Sequence, residues 1–175
     1  MEPWYILVLY FAICAFLGVI IWSLLEKISI VRKEKLFLYG PFSVIDGTGV
    51  LAIYFYSLLN LPLIVKIVSY FLILVMIEYL SSIFLEKALR LKLWDHTKYK
   101  FNLHGRVSLR VSLLWFALML FVVFIGQPFL LGILHKLPFN LAIVFSILFL
   151  VYFAIDLSLS MRKYILRKRL KKRKI

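Results

Sequence analysis

Leu61-Pro-Leu-Ile-Val-Lys66-Ile-Val-Ser-Tyr70-Phe-Leu-Ile-Leu-Val75-Met-Ile-Glu78-Tyr-Leu-Ser-Ser82-Ile-Phe-Leu85-Glu86 decides what kind of molecule this is. Between Pro62 and Leu85 only Lys66 and Glu78 are charged. A helix needs about 20 such residues to cross ~30 Å of hydrocarbon. A carboxylate on a segment of this kind costs several kcal/mol unless it is paired, protonated or facing water, so Glu78 marks a candidate functional site by default. Glu78, Ser82 and Glu86 recur every four residues and share one stripe of the helix, but ~12 Å of rise separates the two carboxylates. That exceeds the spacing of an acid/base couple, so no carboxylate dyad is expected.

The rest of the chain has the same character. It is 64% hydrophobic with a mean hydropathy of +0.99, beyond the roughly 45–50% apolar content of ordinary soluble domains. The reading is an all-α integral membrane protein, a bundle of about five transmembrane helices at residues 4–25, 42–59, 62–86, 107–126 and 138–160. Residues 1–161 form the membrane domain and residues 162–175 a basic tail. The net charge of +14 suggests nucleic acid until its placement is followed. Residues 27–35 hold four basic side chains, 87–110 seven and 162–174 nine, leaving Lys66 and Lys136. With five spans and the N-terminus outside, nearly all basic residues fall in the cytoplasm, as the positive-inside rule requires. The tail, with Arg162, Lys163, Arg167, Lys168 and Arg169, then meets anionic lipid headgroups, and no specific nucleic acid partner is expected. Residues 4–25 read as a retained span rather than a cleaved signal. Cys14 is the single cysteine, so neither an intrachain disulfide nor a thiolate metal cluster is expected.

Connecting segments carry the remaining signals. Residues 26–35 alternate charges with Ile28, Ile30 and Val31, suggesting a short amphipathic piece lying on the inner membrane face. Gly40 and Pro41 break regular helix, and with Gly47 and Gly49 they shape the backbone of residues 39–49, either as a re-entrant segment or as an interfacial turn before a short helix. Gly126-Gln-Pro128 ends or kinks the fourth span, with a short outer helix after it. By depth, Asp46, Glu78, Glu86, Asp156, Arg106 and Arg110 fall in one layer near the basic loops, which predicts a polar vestibule open to the cytoplasm. Glu78 is either a proton-carrying carboxyl or the partner of a group on another helix. Trp94 marks an interfacial loop. Asp95 is a ligand, a cap, or the partner of Lys98 or Lys100. Asn102 caps the next helix, Gly105 permits close backbone approach, and Arg106 either clamps an anion or serves as a positive-inside charge. His96, His104 and His135 have no metal-ligand spacing, and no cofactor is expected.

Tyr39-Gly-Pro-Phe-Ser43 with Gly47 and Gly49, then Glu78-Tyr79, Leu85-Glu86-Lys87, Trp94-Asp95, Phe101-Asn102 and Gly105-Arg106, resemble the signature of the bacterial CmpB-like, or type IV, ABC-transporter permease family. The resemblance covers roughly residues 35–115. This sequence departs from that pattern at Val44-Ile45-Asp46, where Pro-Ile-Tyr is usual, at His96 in place of Tyr, and at His104 in place of Asn. It implies a multi-pass protein of the bacterial inner membrane that acts as a permease subunit for a small or lipid-like substrate. Lacking a G-x-x-x-x-G-K-[ST] run, the chain would need a separate ATPase subunit, or would act as a homo-oligomer. The alternatives are an intramembrane enzyme on a lipid or lipid-linked substrate, with Glu78 or Asp95 as general base, and a non-catalytic accessory subunit.

Overall fold

A computed structural model of the protein describes residues 1–32 and 35–172, except the side chains of Arg169, Lys171 and Lys172. Its helices are α1 (Trp4–Lys27), α2 (Val44–Ser57), α3 (Leu63–Leu89), α4 (Leu109–Phe121), α5 (Gln127–Leu134) and α6 (Phe139–Lys172). Two short antiparallel strands, β1 (Asn102–Leu103) and β2 (Val107–Ser108), pair Asn102 with Ser108 and Leu103 with Val107. Among the described residues four helical stretches are long and apolar enough to cross a membrane: Trp4–Lys27, Leu63–Leu89, Leu109–Leu134 and Phe139–Lys168. The α2 helix is apolar but shorter, and its 14 residues reach only ~21 Å.

The bundle is inside-out relative to a soluble protein. On α3, Ile64, Val68, Leu72, Met76, Leu80 and Phe84 recur every four residues and all are more than half exposed. Ser82 on the same helix is buried, and Glu78 and Glu86 have partners within the fold. An unbroken apolar stripe turned outward fits a hydrocarbon environment, which offers backbone and side chains no hydrogen bonds. Inside, Ile6, Tyr10, Cys14, Val50, Ile53, Tyr54, Tyr70 and Met119 form one core between the first four helices. A second cluster of Leu85, Leu89, Leu93, Trp94 and Tyr164 closes the end that carries the basic loops.

Residues 39–49 form the turn before a short helix, one of the two expected forms, while the other connecting segments differ in detail. Beyond Lys27 the described residues of the 26–35 segment are not helical. The α1 helix stops in a Schellman turn, with Ser29 left-handed at φ 59°, its amide on the Glu26 carbonyl and the Ile30 amide on the Leu25 carbonyl. That geometry satisfies the last carbonyls and turns the chain away. At residues 39–49 the helix is regular from Val44 onward, capped by Ser43, whose Oγ accepts from the Asp46 amide at 3.3 Å. Gly47 lies against Phe11, and Gly49 makes only ordinary contact with Leu74, so neither interrupts the helix. Around Gly126-Gln-Pro128 the helix does not end. A π-helical turn at Val122–Gly126 leads directly into α5, accommodating a proline ring that would clash with the carbonyl four residues back. The last helix likewise runs on through residue 161 to Lys172, so the start of the basic tail is helical.

Asp156 fixes the Gly40-Pro41 bend. Its Oδ1 accepts from the Tyr39 amide at 2.9 Å and its Oδ2 from the Gly40 amide at 2.8 Å, while Ser160 Oγ donates to Oδ1 at 3.2 Å. A Cβ at position 40 would collide with Tyr152 Oη and come within 2.8 Å of the Asp156 carboxylate, so the close approach requires glycine. Asp156 is therefore an anchor for the loop between α1 and α2. Asp156→Asn exchanges an acceptor for a donor facing an amide. It should cost about 1–3 kcal/mol, read as a lowered melting temperature in detergent; an unchanged melt would contradict this assignment.

Candidate functional site: a central cavity and the loop docked beside it

The stripe on α3 is answered by the segment between α3 and α4. After the left-handed Arg90 ends α3 (φ 54°), residues 91–108 fold back along the helix they have just left. His96 Nε2 lies 3.1 Å from Glu78 Oε1, His104 Nδ1 lies 3.1 Å from Tyr79 Oη, and the Arg106 guanidinium pairs with Glu86. From Leu89 back to Glu78 is eleven residues, so the loop returns ~16 Å along the helix axis. The two carboxylates thus have separate partners. His96 is 3% exposed, and its Nδ1 is buried without a partner.

Backbone bonds hold the loop in this shape. The His96 amide donates to the Gly105 carbonyl at 2.8 Å, and Trp94 Nε1 donates to the Arg106 carbonyl at 2.7 Å. Asn102 is not a helix cap. Its Nδ2 donates to the Tyr99 carbonyl and its Oδ1 accepts from the Gly105 amide, both at 2.8 Å, while Ser108 caps α4. His104 and Gly105 occupy the two central positions of the β1–β2 turn with φ 54° and 68°, and the Arg106 amide closes it on the Leu103 carbonyl at 3.0 Å. Two positive φ angles are the signature of a type I′ hairpin. Asn and His are among the non-glycine residues that tolerate the first of them, so His104 fits where Asn is usual. Arg106 lies in this hairpin rather than on α4, over the Tyr79 ring at 5.9 Å.

Asp95 is exposed and acts within the loop. Its Oδ1 accepts from the Thr97 amide at 3.0 Å and from Thr97 Oγ1 at 2.8 Å, and it pairs with Lys92 at 3.0 Å. Lys98 and Lys100 are not its partners. The Thr97 amide first, then the Thr97 hydroxyl and Lys92, lower its pKa from 3.8 to about 2.

Beside Glu78 is a cavity of about 1130 Å³ between the helices, open to the outer surface along Leu80, Phe84, Phe121, Ile125 and Phe129 and somewhat larger than most ligand pockets. Its lining runs from Glu26, Lys35 and Trp94 near the basic loops to Phe129 and Leu130 toward the opposite end, and is mostly Leu, Ile, Val and Phe. Of the expected vestibule residues, Asp46, Glu78 and Trp94 line it; Ser82, Glu86, Asp95, Asn102, Gly105, Arg106 and Asp156 do not. The polar vestibule of the expectation is thus an apolar cavity with a few acidic groups. Sequence reasoning missed Trp22 and Trp115, which stack with centroids 5.2 Å apart and planes within 2°, and Ser112, buried with its Oγ unpartnered. It also passed over His96 as a partner for Glu78; the departure from Tyr at that position was the available signal. In the tail, Lys168 Nζ donates to the Ala88 carbonyl at 2.6 Å and Lys163 sits over the Tyr39 ring at 4.2 Å. Arg162 and Arg167 are exposed, and the Arg169 side chain lies outside the described residues.

Helices turned apolar side out, with polar groups satisfied between them, define a multi-pass membrane protein. The chain belongs to the family described as Putative ABC-transporter type IV, whose model matches residues 9–161. No curated protein and no solved structure gives a significant match.

The loop geometry sets two expectations. His96→Leu leaves the Glu78 carboxylate without its partner and should destabilise by about 1–3 kcal/mol, whereas the double variant His96→Leu/Glu78→Leu, which removes both polar groups, should recover at least part of the loss. Equal melts for the single and double variants in a detergent series would refute the pairing. Because the folded pKa of Asp95 lies below its unfolded value, its stabilisation is present above about pH 4 and is lost as pH falls toward about 2. A carboxyl-carbon NMR titration should place its midpoint near 2 in the wild type and measurably higher in Thr97→Val, which removes the hydroxyl donor but keeps the amide and Lys92.

Proposed function

We propose that this protein is a permease subunit of the bacterial inner membrane that passes a small or lipid-like substrate through its central cavity. Membership of an ABC-transporter family supports a transport role in company with other subunits. The observation that carries the reading is the cavity itself: about 1130 Å³ of largely apolar space holding the carboxylates of Asp46 and Glu78. Apolar walls accept a hydrophobic body, and a few polar groups orient it. In this reading the chain crosses the membrane five times, α2 with its flanking residues completing the second span, and the N-terminus lies outside. The basic loops and tail lie inside, where Arg162 and Arg167, with their neighbours, meet anionic headgroups. A separate P-loop ATPase powers transport.

A second reading, an intramembrane enzyme on a lipid-linked substrate, draws on the Glu78–His96 couple at the cavity's edge. Accumulation of one lipid species in Glu78→Gln cells would favour it.

Two measurements test the first reading. With Cys14 replaced by Ser, single cysteines at Asn60 and His135 should react with a membrane-impermeant maleimide in intact cells, and those at Lys98 and Arg167 only after permeabilisation. The reverse pattern overturns the orientation. Recovered in mild detergent from its own host, the protein should carry an ATPase subunit whose hydrolysis is retained on reconstitution. Absence of any ATPase, together with unchanged solute and lipid uptake on deletion, overturns the transport role.

A further inference from the structure

The cavity carries a charge opposite to that of the chain around it. The protein has 22 basic and 8 acidic residues, yet the described residues lining the cavity include Glu26, Asp46 and Glu78 against Lys35 alone. Glu78 already has a partner in His96. Asp46 has no basic partner among the described residues: the Ser43 hydroxyl, which caps its amide, is also the neutral group that hydrogen-bonds its carboxyl. It packs against Gly18 of α1, where a Cβ would collide with it.

Position 22 is one helical turn beyond position 18 and on the same face of α1. There Trp22 stacks on Trp115, and both rings line the cavity. Trp22 Nε1 and Ser112 Oγ are buried without partners among the described residues, and both residues line the same cavity. An acid without a basic partner, sharing apolar walls with two indole rings, is an arrangement that attracts cations: the ring face is electronegative, and the low-dielectric surroundings strengthen attraction to the acid.

We propose that the cavity binds a lipophilic cation, such as a long-chain or aromatic ammonium or phosphonium ion, with its charge between Asp46 and the Trp22–Trp115 pair and its apolar body along the Leu and Phe walls. This rests on the reading of the cavity as the substrate site and adds the sign of the substrate's charge. An anion of the same shape meets repulsion from Asp46 and Glu78 and is excluded.

Radiolabelled tetraphenylphosphonium and tetraphenylborate, close in size and opposite in charge, separate the possibilities on full-length protein in neutral detergent. The phosphonium should bind saturably, be displaced by dodecyltrimethylammonium, and lose at least about tenfold in affinity in Asp46→Asn. Asp46→Glu, which keeps the charge, should stay within about threefold of the wild type, distinguishing loss of the acid from loss of the fold. Borate binding as tight as the phosphonium, or phosphonium binding untouched by Asp46→Asn, overturns cation selectivity while leaving the cavity a ligand site. Saturable binding of neither ion overturns both the inference and the cavity's role as substrate site.

Discussion

A carboxylate carried into a helical membrane bundle must find donors within the protein or face a space that something else fills. Asp156 is satisfied by two backbone amides and a serine hydroxyl. Glu78 and Glu86 are satisfied by a histidine and an arginine from a loop that doubles back along their own helix. Asp46 has the Ser43 hydroxyl but no basic partner among the described residues, and it borders the cavity. The bend before α2, the docking of residues 91–108, and the acidic character of the cavity each follow from one of these cases.

The first two also explain how the bundle holds together without a hydrophobic driving force between helices, since lipid is as apolar as the core. The Tyr39–Asp156 contacts tie α6 to the start of α2, and the Ser43 amide donates to the Ala15 carbonyl at 3.0 Å, joining that start to α1. At the same end, the Lys35 amide reaches the Leu93 carbonyl at 3.0 Å. At the opposite end the links are Glu2 to His135 at 2.6 Å and the Glu2 amide to Tyr54 Oη at 2.9 Å. Polar contacts therefore fasten both ends, and the large cavity occupies the space between.

Much of this was legible along the chain. The apolar runs gave the four long helices, and the four-residue spacing of Glu78, Ser82 and Glu86 put them on one face and kept the carboxylates from forming a pair. The same spacing says nothing about what stands opposite. Asp156 was grouped with Glu78 by depth, but depth is one coordinate, and the two acids face different neighbours. Asn102 looked like a helix cap because it precedes a helix; the positive-φ turn at His104-Gly105 gave its side chain other work and left the cap to Ser108.

What the sequence determined alone was the environment, through segment lengths and hydropathy, and the inward face of each polar residue, through helical periodicity. Both are local properties, set within a few turns of chain. The tertiary structure decided which polar groups are spent on each other and which remain free. His96 meets Glu78 only because a loop 18 residues long folds back, and Asp46 meets no basic group among the described residues because the helices around it part to leave a cavity. Those outcomes depend on how distant segments pack, which no window of residues contains.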